Sequence, residues 1–192
     1  MDALRDKCIQ ATFQLCSQEG LDFTMSALAA RLGVSKKTLY VLFDSKESLL
    51  LEMVEVMFAQ VKQSEAQVLA DSSLSLTEQI RRLVIVLPES FKTLNWSRLQ
   101  GVEEKYPTVY RSICQHLESG WAPTLELLER GIQTGELRPF SIGIFRSVVE
   151  GSMEYFLSSD ALAREGIDYV NALEQMMDLL MEGIVQKQEE HT

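Results

Sequence analysis

Cysteine and histidine are both scarce in this chain of 192 residues, which contains three of the first and two of the second. Cys8, Cys16 and Cys114 are odd in number and far apart, so the sequence argues against a disulfide framework or a zinc site. His116 and His191 cannot be combined with a serine or cysteine into a recognisable pair of nucleophile and base. We therefore predict that the protein is not an enzyme and needs no cofactor or metal, and that Cys8 and Cys16 pack in a core.

Proline, glycine and long apolar runs are also uncommon. The chain has 4 prolines and 10 glycines and shows no sustained alternation of apolar and polar residues, which favours helices over strands. No apolar run approaches the roughly 18 residues of a membrane span, and the start has no secretory signal. The sequence therefore predicts an all-α protein that is located in the cytoplasm and has no membrane partner. Its length allows one small and one larger domain.

A helix-turn-helix pattern runs through residues 23–50, which read FTMSALAARLGVSKKTLYVLFDSKESLL. Thr24 stands where a side-chain oxygen can cap the first helix, and Gly33 stands where a left-handed residue can end it. Ser35 then caps a short second helix, and Ser45 caps the start of a third. Two helices joined by a short turn that contains glycine are typical of DNA-binding units whose second helix enters the major groove.

This pattern resembles the DNA-binding segment of the TetR family of bacterial transcriptional regulators. The matching positions are 8–11, 19–20, 24, 28–29, 33–35, 38–40, 43, 45–47 and 49–50, with a looser match at 127–138. The resemblance implies a three-helix helix-turn-helix DNA-binding domain at residues 1–46 and a larger helical domain for effector binding and dimerisation at residues 47–192. It also implies a homodimer that binds an inverted-repeat operator in double-stranded DNA, represses transcription, and is released by a small, mostly apolar effector.

The charge distribution agrees with DNA binding once it is divided along the chain. The net charge is −10, yet residues 1–50 contain six basic and six acidic residues, so the excess of acidic residues lies beyond them. Residues 31–46 contain four basic residues and one acidic residue. A positive field confined to the recognition unit favours contact with DNA there, and acidity elsewhere limits unspecific binding. The alternative is that these lysines form an ordinary solvated face.

Candidate DNA contacts cluster at the starts of the three helices. Side chains at the start of the second helix can reach base edges. The starts of the first and third helices bring backbone N–H groups and positive charge towards phosphate. Lys37 replaces a small residue that is common in the family, so we expect it to influence the preferred DNA sequence. The predicted DNA-binding residues are Thr24, Ser35, Lys36, Lys37, Thr38, Tyr40 and Lys46.

Helical spacing of apolar residues continues through the remainder of the chain. The predicted helices span 3–19, 24–32, 35–42, 45 to about 70, 77 to Pro88, 91–102, 107 to about 119, 125–132, 141–158 and 168–187. Methionine and aromatic residues along the fourth to seventh helices predict a pocket for a hydrophobic or amphipathic effector. The predicted pocket residues are Met57, Phe58, Phe91, Trp96 and Tyr110.

The last two predicted helices carry apolar stripes suited to pairing with a second copy of the chain. Spacing of three and four residues suits a helix that packs along another helix, and closed two-fold homodimers are the commonest soluble oligomers. We therefore predict a four-helix interface between two copies. The alternative is that both helices only complete the core of one protomer. The predicted interface residues are Val148, Gly151, Tyr155, Leu173, Met177, Leu180 and Ile184.

Two other functions remain open from the sequence. The chain could be a helical DNA-binding protein that has no effector and acts through protein partners. It could also be a helical interaction module whose N-terminal unit no longer reads DNA. The interaction module would show no specific DNA binding, whereas the other two proteins would. Release from DNA by a ligand would then distinguish the effector-controlled regulator from the DNA-binding protein that has no effector. Residues 189–192 are expected to form a frayed tail.

Overall fold

Twelve α-helices form most of the described part of the chain, which the computed structural model covers at residues 2–92, 96–99 and 101–186. The helices are α1 (Asp2–Glu19), α2 (Met25–Leu32), α3 (Lys36–Leu42), α4 (Lys46–Ala70), α5 (Leu76–Val84), α6 (Glu89–Lys92), α7 (Val102–Lys105), α8 (Pro107–Ser119), α9 (Ala122–Thr134), α10 (Ile142–Ser158), α11 (Ala161–Glu165) and α12 (Tyr169–Ile184). Two 3₁₀ turns, Gly20–Asp22 and Trp96–Leu99, lie between them. The fold is therefore all-α, as the sequence predicts.

Local side-chain hydrogen bonds set the boundaries of α2 and α3. Thr24 Oγ1 accepts a hydrogen bond from the Ala27 amide at 3.0 Å, and Ser35 Oγ accepts one from the Thr38 amide at 3.0 Å. Gly33 lies between the two helices with φ = 65°, a left-handed conformation that a residue with a Cβ rarely adopts. The structure therefore contains the helix-turn-helix that the sequence predicts, with the same capping residues.

The first hydrophobic core joins α1–α4 to later parts of the chain. Leu39 of α3 is completely buried, and the same cluster continues through α4 to Phe91 and Val109. The rings of Phe13 in α1 and Phe91 in α6 have centroids 4.7 Å apart. The domain boundary predicted after residue 46 therefore cuts through one apolar cluster.

The second hydrophobic core lies between α5, α9, α10 and α12. Leu128, Val149 and Met177 are completely buried in it. Gly131 allows the close approach of the segment that follows α9, because a Cβ at this position would lie 2.7 Å from the side chain of Leu137. This core holds α10 and α12 side by side with one face of each turned away from it.

The predicted helix at 91–102 is wrong. The chain forms α6, the 3₁₀ turn Trp96–Leu99 and α7 in this region, while residues 93–95 and 100 lie outside the described residues. Gly101 has φ = 79°, which is incompatible with a continuous right-handed helix. Apolar residues recur at helical intervals here because three short elements face the same core.

The end of the last helix also differs from the prediction. The helix predicted at 168–187 ends at Ile184, and Val185 forms an isolated antiparallel bridge with Leu137. Backbone hydrogen bonds of 2.9 and 3.0 Å connect the two segments, so the chain leaves its helical path to pair there. Residue 187 and the tail predicted at 189–192 lie outside the described residues. The short helix α11 was not predicted.

The buried cysteines pack as the sequence predicts. Cys8 and Cys16 both lie in the first core. Burial raises the pKa of the Cys16 thiol to about 12 and also raises the pKa of Cys8, so both remain neutral thiols near pH 7. Within the described ranges, no group of three or more histidine, cysteine, aspartate or glutamate residues could hold a metal ion. No helix in these ranges is long and apolar enough to cross a membrane.

Candidate DNA-binding surface and effector cavity

Helix α3 presents a basic face to solvent and an apolar face to the first core. Leu39 points inward, whereas Lys36, Lys37 and Tyr40 are exposed. The Lys36 ammonium lies 5.9 Å from the centroid of the Tyr40 ring, near the limit of a cation–π contact. Lys37 forms no hydrogen bond or ion pair with another described residue, so its ammonium is available to an external acceptor.

The predicted hydroxyl contacts lie at helix starts. Ser35 and Thr38 have hydroxyl oxygens 2.8 Å apart at the start of α3, and Thr24 is exposed at the start of α2. The first backbone N–H groups of a helix have no partner within it, so these ends attract anions such as phosphate. Thr24 and Ser35 therefore cap α2 and α3. Each also lies beside the free N–H groups of the first helical turn, which a phosphate could reach.

Lys46 points into the protein rather than towards solvent. Its ammonium donates to the carbonyl oxygens of Leu21 at 2.6 Å and Phe23 at 2.5 Å, and it lies 4.1 Å from the centroid of the Phe23 ring. The Tyr106 ring lies on the same ammonium at 5.5 Å. Because two of its three donors already bind carbonyl groups, we replace the phosphate contact predicted for Lys46 with a structural role at the start of α4.

A cavity of about 120 Å³ lies between α4, α5, α8, α9, α10 and α12. Of the predicted pocket residues, Met57, Phe58 and Trp96 border it. Trp121, the second tryptophan of the chain, also borders it. Most of the wall is apolar, which suits an apolar ligand.

Two predicted pocket residues lie elsewhere. Phe91 is buried against Phe13 of α1, and only its carbonyl oxygen is linked to the cavity wall, through a 3.2 Å hydrogen bond from the Trp96 indole. Tyr110 lies outside the cavity and donates its hydroxyl to Glu154 at 2.8 Å. Both residues occupy apolar positions at helical spacing, and the packing of α6 and α8 turned them towards other neighbours.

The charged groups at the cavity wall are paired within the protein. Lys62 donates to Glu65 at 2.8 Å. The Nε2 atom of His116 lies 3.0 Å from Glu55, and its ring stacks on Phe58 with centroids 4.3 Å apart. The charged groups of Lys62, Glu65 and His116 at the cavity wall are therefore paired, and His116 also stacks on an aromatic ring.

Two uncharged polar side chains that were not predicted also line the cavity. Thr124 and Tyr169 are only 6% and 7% exposed. Burial raises the pKa of the Tyr169 phenol, which therefore stays neutral at physiological pH. The rings of Trp96 and Tyr169 have centroids 4.8 Å apart. Isolated polar positions in amphipathic helices carry no periodic signal that identifies them as cavity residues.

One face of α10 and α12 is apolar and exposed. We define the exposed apolar face as Ile144, Val148, Gly151 and Tyr155 of α10 with Leu179 of α12. Ile144 and Leu179 are 66% and 74% exposed. Large apolar side chains exposed to solvent on neighbouring helices are typical of a protein interface. This face contains the three interface residues predicted on α10 and adds two that were not predicted.

The interface residues predicted on α12 lie mainly on its opposite side. Leu173, Met177 and Ile184 are buried in the second core of their own protomer, and Leu180 is half-buried beside it. The regular spacing of these residues reflects packing of α12 against α5 and α10 within one chain. We therefore correct the predicted interface by removing Leu173, Met177 and Ile184.

Sequence comparison connects this arrangement to known proteins. Residues 9–53 match the family model of bacterial regulatory proteins of the tetR family. The chain is 31% identical over 185 residues to YvaF of Bacillus subtilis (strain 168), an uncharacterised HTH-type transcriptional regulator, and the match covers 96% of this chain and 97% of YvaF. This chain belongs to the TetR family of bacterial transcriptional regulators.

Solved structures share the TetR-family fold. FadR from Bacillus subtilis, in complex with stearoyl-CoA, is 21% identical with a TM-score of 0.63, and the match covers 92% of this chain and 97% of FadR. PfmR from Thermus thermophilus is 18% identical with the same TM-score, over 91% of this chain and 97% of PfmR. The family match and the likeness to YvaF show that the chain is a DNA-binding transcriptional regulator and not an enzyme.

Proposed function

We propose that this TetR-family member binds an inverted-repeat operator as a homodimer, represses transcription, and is released when a small, mostly apolar effector occupies the cavity. In this proposal residues 1–46 read DNA, and residues 47–192 bind the effector and the second copy. One observation carries the proposal. A single segment, residues 89–106, contacts both the DNA-binding part and the part that contains the cavity. This segment borders the cavity at Trp96 and packs on α1 at Phe91.

The exposed face of α3 supports recognition of an operator. Its seven residues span about 10 Å at 1.5 Å per residue, enough to lay the first turn in the major groove. Two copies related by a two-fold axis must reach half-sites about 34 Å apart, or a multiple of that distance, on one face of the DNA. The operator is therefore an inverted repeat, with Lys36, Lys37 and Tyr40 at each half-site.

The exposed apolar face supports the homodimer. When two copies meet at a two-fold axis, the same patch covers its own counterpart, so α10 and α12 of both copies form four helices. Burial of Ile144, Val148 and Leu179 removes large apolar side chains from water, and this is the main driving force of such contacts. Gly151 leaves room at the centre of α10 for close approach of the partner.

The contacts between the two parts support release by an effector. Trp96 at the cavity donates to the Phe91 carbonyl, and the Phe91 ring contacts Phe13 of α1. Lys105 of the same segment forms a 2.6 Å ion pair with Asp22, just after α1. A ligand that moves Trp96 changes the position of α1, and it weakens DNA binding if it binds that second state more tightly. The bound stearoyl-CoA of the FadR structure supports a ligand site in this fold.

Selection of bound sites from random double-stranded DNA tests the first part of the proposal. We expect an inverted repeat to be enriched and the selected site to bind one dimer in sedimentation. The double variant Lys36→Ala with Lys37→Ala should lose specific binding. Arg130→Ala, which removes one positive charge from an exposed position of α9, is the control and should bind as before.

The same site then tests repression and release. A reporter under the selected site should be expressed less when the protein is present, and a ligand that binds the cavity should restore expression. Specific DNA binding that no cavity ligand changes would favour the DNA-binding protein without an effector. Failure to enrich any site would favour the interaction module.

A further inference from the structure

Two hydroxyl groups of the cavity wall have no hydrogen-bond partner among the described residues. Neither Tyr169 nor Thr124 forms a side-chain hydrogen bond with another described residue. Among the same residues, no fully enclosed side-chain nitrogen or oxygen lacks a partner. The two hydroxyl oxygens are therefore not sealed within the packing, and both residues line the cavity. Buried hydroxyl groups normally find a partner, so these two are placed to bind a ligand or water.

The charged groups of the same cavity wall, in contrast, already have partners in the protein. Lys62 is paired with Glu65 at 2.8 Å, and Glu150 accepts a hydrogen bond from Arg146 at 2.7 Å. A charged ligand would have to break one of these pairs or enter the cavity without a counter-charge, and both are unfavourable in an apolar site. The wall therefore favours an uncharged molecule.

The size of the cavity limits the ligand further. At about 120 Å³ it is close to the roughly 150 Å³ of an engineered apolar cavity that binds benzene. A long acyl chain cannot be wholly contained in this space unless the helices move. The fit is best for a single ring or a short branched chain.

We infer that the cavity takes a compact, uncharged, mostly apolar molecule that carries a hydroxyl or carbonyl oxygen, which Tyr169 and Thr124 bind. Tyr169 donates to this oxygen, and Thr124 can donate or accept. Calling this ligand the effector rests on the proposed function, whereas its chemical class rests on the cavity alone. The ligand class thus differs from the acyl-CoA in the FadR structure.

A matched set of probes tests the chemical class. Benzyl alcohol, toluene, benzoate and benzylammonium have nearly the same size and differ in hydrogen bonding and charge, and stearoyl-CoA represents a long ligand. Both tryptophans of the chain border the cavity, so their fluorescence reports binding directly. We expect benzyl alcohol to bind at least about tenfold more tightly than either charged probe, and stearoyl-CoA to leave the fluorescence unchanged.

Two conservative variants test the hydrogen bonds. Tyr169→Phe and Thr124→Val each remove one hydroxyl and should weaken benzyl alcohol binding about three- to tenfold, while toluene binding stays unchanged. Both variants should melt no earlier than the original chain, because neither hydroxyl has a hydrogen-bond partner in the part of the chain that the structure describes. Tyr110→Phe removes a phenol hydroxyl outside the cavity and should leave benzyl alcohol binding unchanged.

Several results would overturn the inference. It is wrong if benzoate, benzylammonium or stearoyl-CoA binds as tightly as benzyl alcohol, or if none of the compact probes binds. It is also wrong if both hydroxyl variants bind benzyl alcohol as the original chain does. Operator binding separates this inference from the proposed function. Benzyl alcohol that binds without releasing DNA would contradict only the effector role, and stearoyl-CoA that releases DNA would contradict only the ligand class.

Discussion

Lys37 and Lys46 illustrate how two residues of one basic cluster acquire different roles. Both contribute to the local positive charge of residues 31–46. Lys37 lies on the exposed face of α3, where its ammonium binds no other described residue. Lys46 lies at the start of α4, where its ammonium holds two carbonyl groups of the connection between α1 and α2. Position relative to the core therefore decides which lysine can contact DNA.

Replacing Lys37 with alanine should alter sequence preference and leave stability almost unchanged. A donor to a guanine edge is worth about 1–3 kcal/mol at that base, and an exposed substitution changes stability by about 0.5 kcal/mol or less. Site selection repeated with the variant, together with urea denaturation, checks both effects. An equal loss of affinity across all sequences, with a smaller dependence on salt, would assign Lys37 to phosphate instead.

Replacing Lys46 with methionine should destabilise the protein. Methionine retains the apolar side chain but leaves the carbonyl groups of Leu21 and Phe23 without their donor, at a cost of about 1–3 kcal/mol. Urea denaturation measures the change in the free energy of unfolding. Lys36→Met is the matched control on the exposed face of α3 and should change this free energy by about 0.5 kcal/mol or less. An unchanged midpoint with weaker DNA binding for Lys46→Met would support the phosphate contact.

At the scale of elements, the segment made of α6, the 3₁₀ turn Trp96–Leu99 and α7 connects the two hydrophobic cores. Phe91 of α6 lies in the first core, and Trp96 contacts Tyr169 of the second. Lys105 at the end of α7 is paired with Asp22, and this pair lowers the pKa of the Asp22 carboxyl group. The elements between α5 and α8 therefore form a joint, by which we mean a segment packed on both cores. A shift in the position of this joint should also shift the DNA-binding helices.

Replacing Phe91 with alanine tests this joint. The loss of a completely enclosed phenylalanine should lower the free energy of unfolding by about 3–5 kcal/mol. Because Phe13 of α1 loses its neighbour, amide hydrogen exchange in α1 should rise together with that in α6. Tyr110→Ala, at a half-buried position of α8, is the comparison and should affect α1 less. Faster exchange confined to residues 89–105 would mean that the joint does not transmit changes to α1.

At the scale of the whole molecule, the proposed pairing of two copies and the uneven distribution of charge both favour binding to an operator. The basic face of α3 and the exposed apolar face of α10 and α12 belong to different parts of the chain. In the proposed homodimer, two-fold pairing at the second surface would place two copies of the first at a set separation, and the acidic remainder of the chain would repel DNA elsewhere. A change at the dimer interface should therefore reduce operator binding without touching any DNA-binding residue.

Replacing Gly151 with leucine should separate the two copies without damaging the protomer. A Cβ at this position meets no atom within 4 Å in one protomer, and leucine favours helix more than glycine does. At the centre of a close interface the added side chain should raise the dimer dissociation constant at least about tenfold, which sedimentation measures. Gln133→Leu places the same apolar side chain at an exposed position of α9 and should leave the dimer intact. A Gly151→Leu protein that stays dimeric would place the interface elsewhere.

The sequence by itself determined the features that depend on near neighbours in the chain. Thr24, Gly33 and Ser35 define the helix-turn-helix because caps and left-handed turns are formed by residues three or four positions apart. Apolar periodicity predicted the long helices for the same reason. The family resemblance adds the DNA-binding function, because it depends on this same local pattern.

Tertiary structure decided which neighbour each side chain meets. It turned Lys46 towards carbonyl groups, Phe91 towards α1 and Met177 into the core of its own protomer, although all three stand at positions where the sequence allowed another role. It also brought Thr124 and Tyr169, from distant helices, to one cavity. An amphipathic helix specifies that one face is buried, but the partner of that face is selected by packing between elements far apart in sequence.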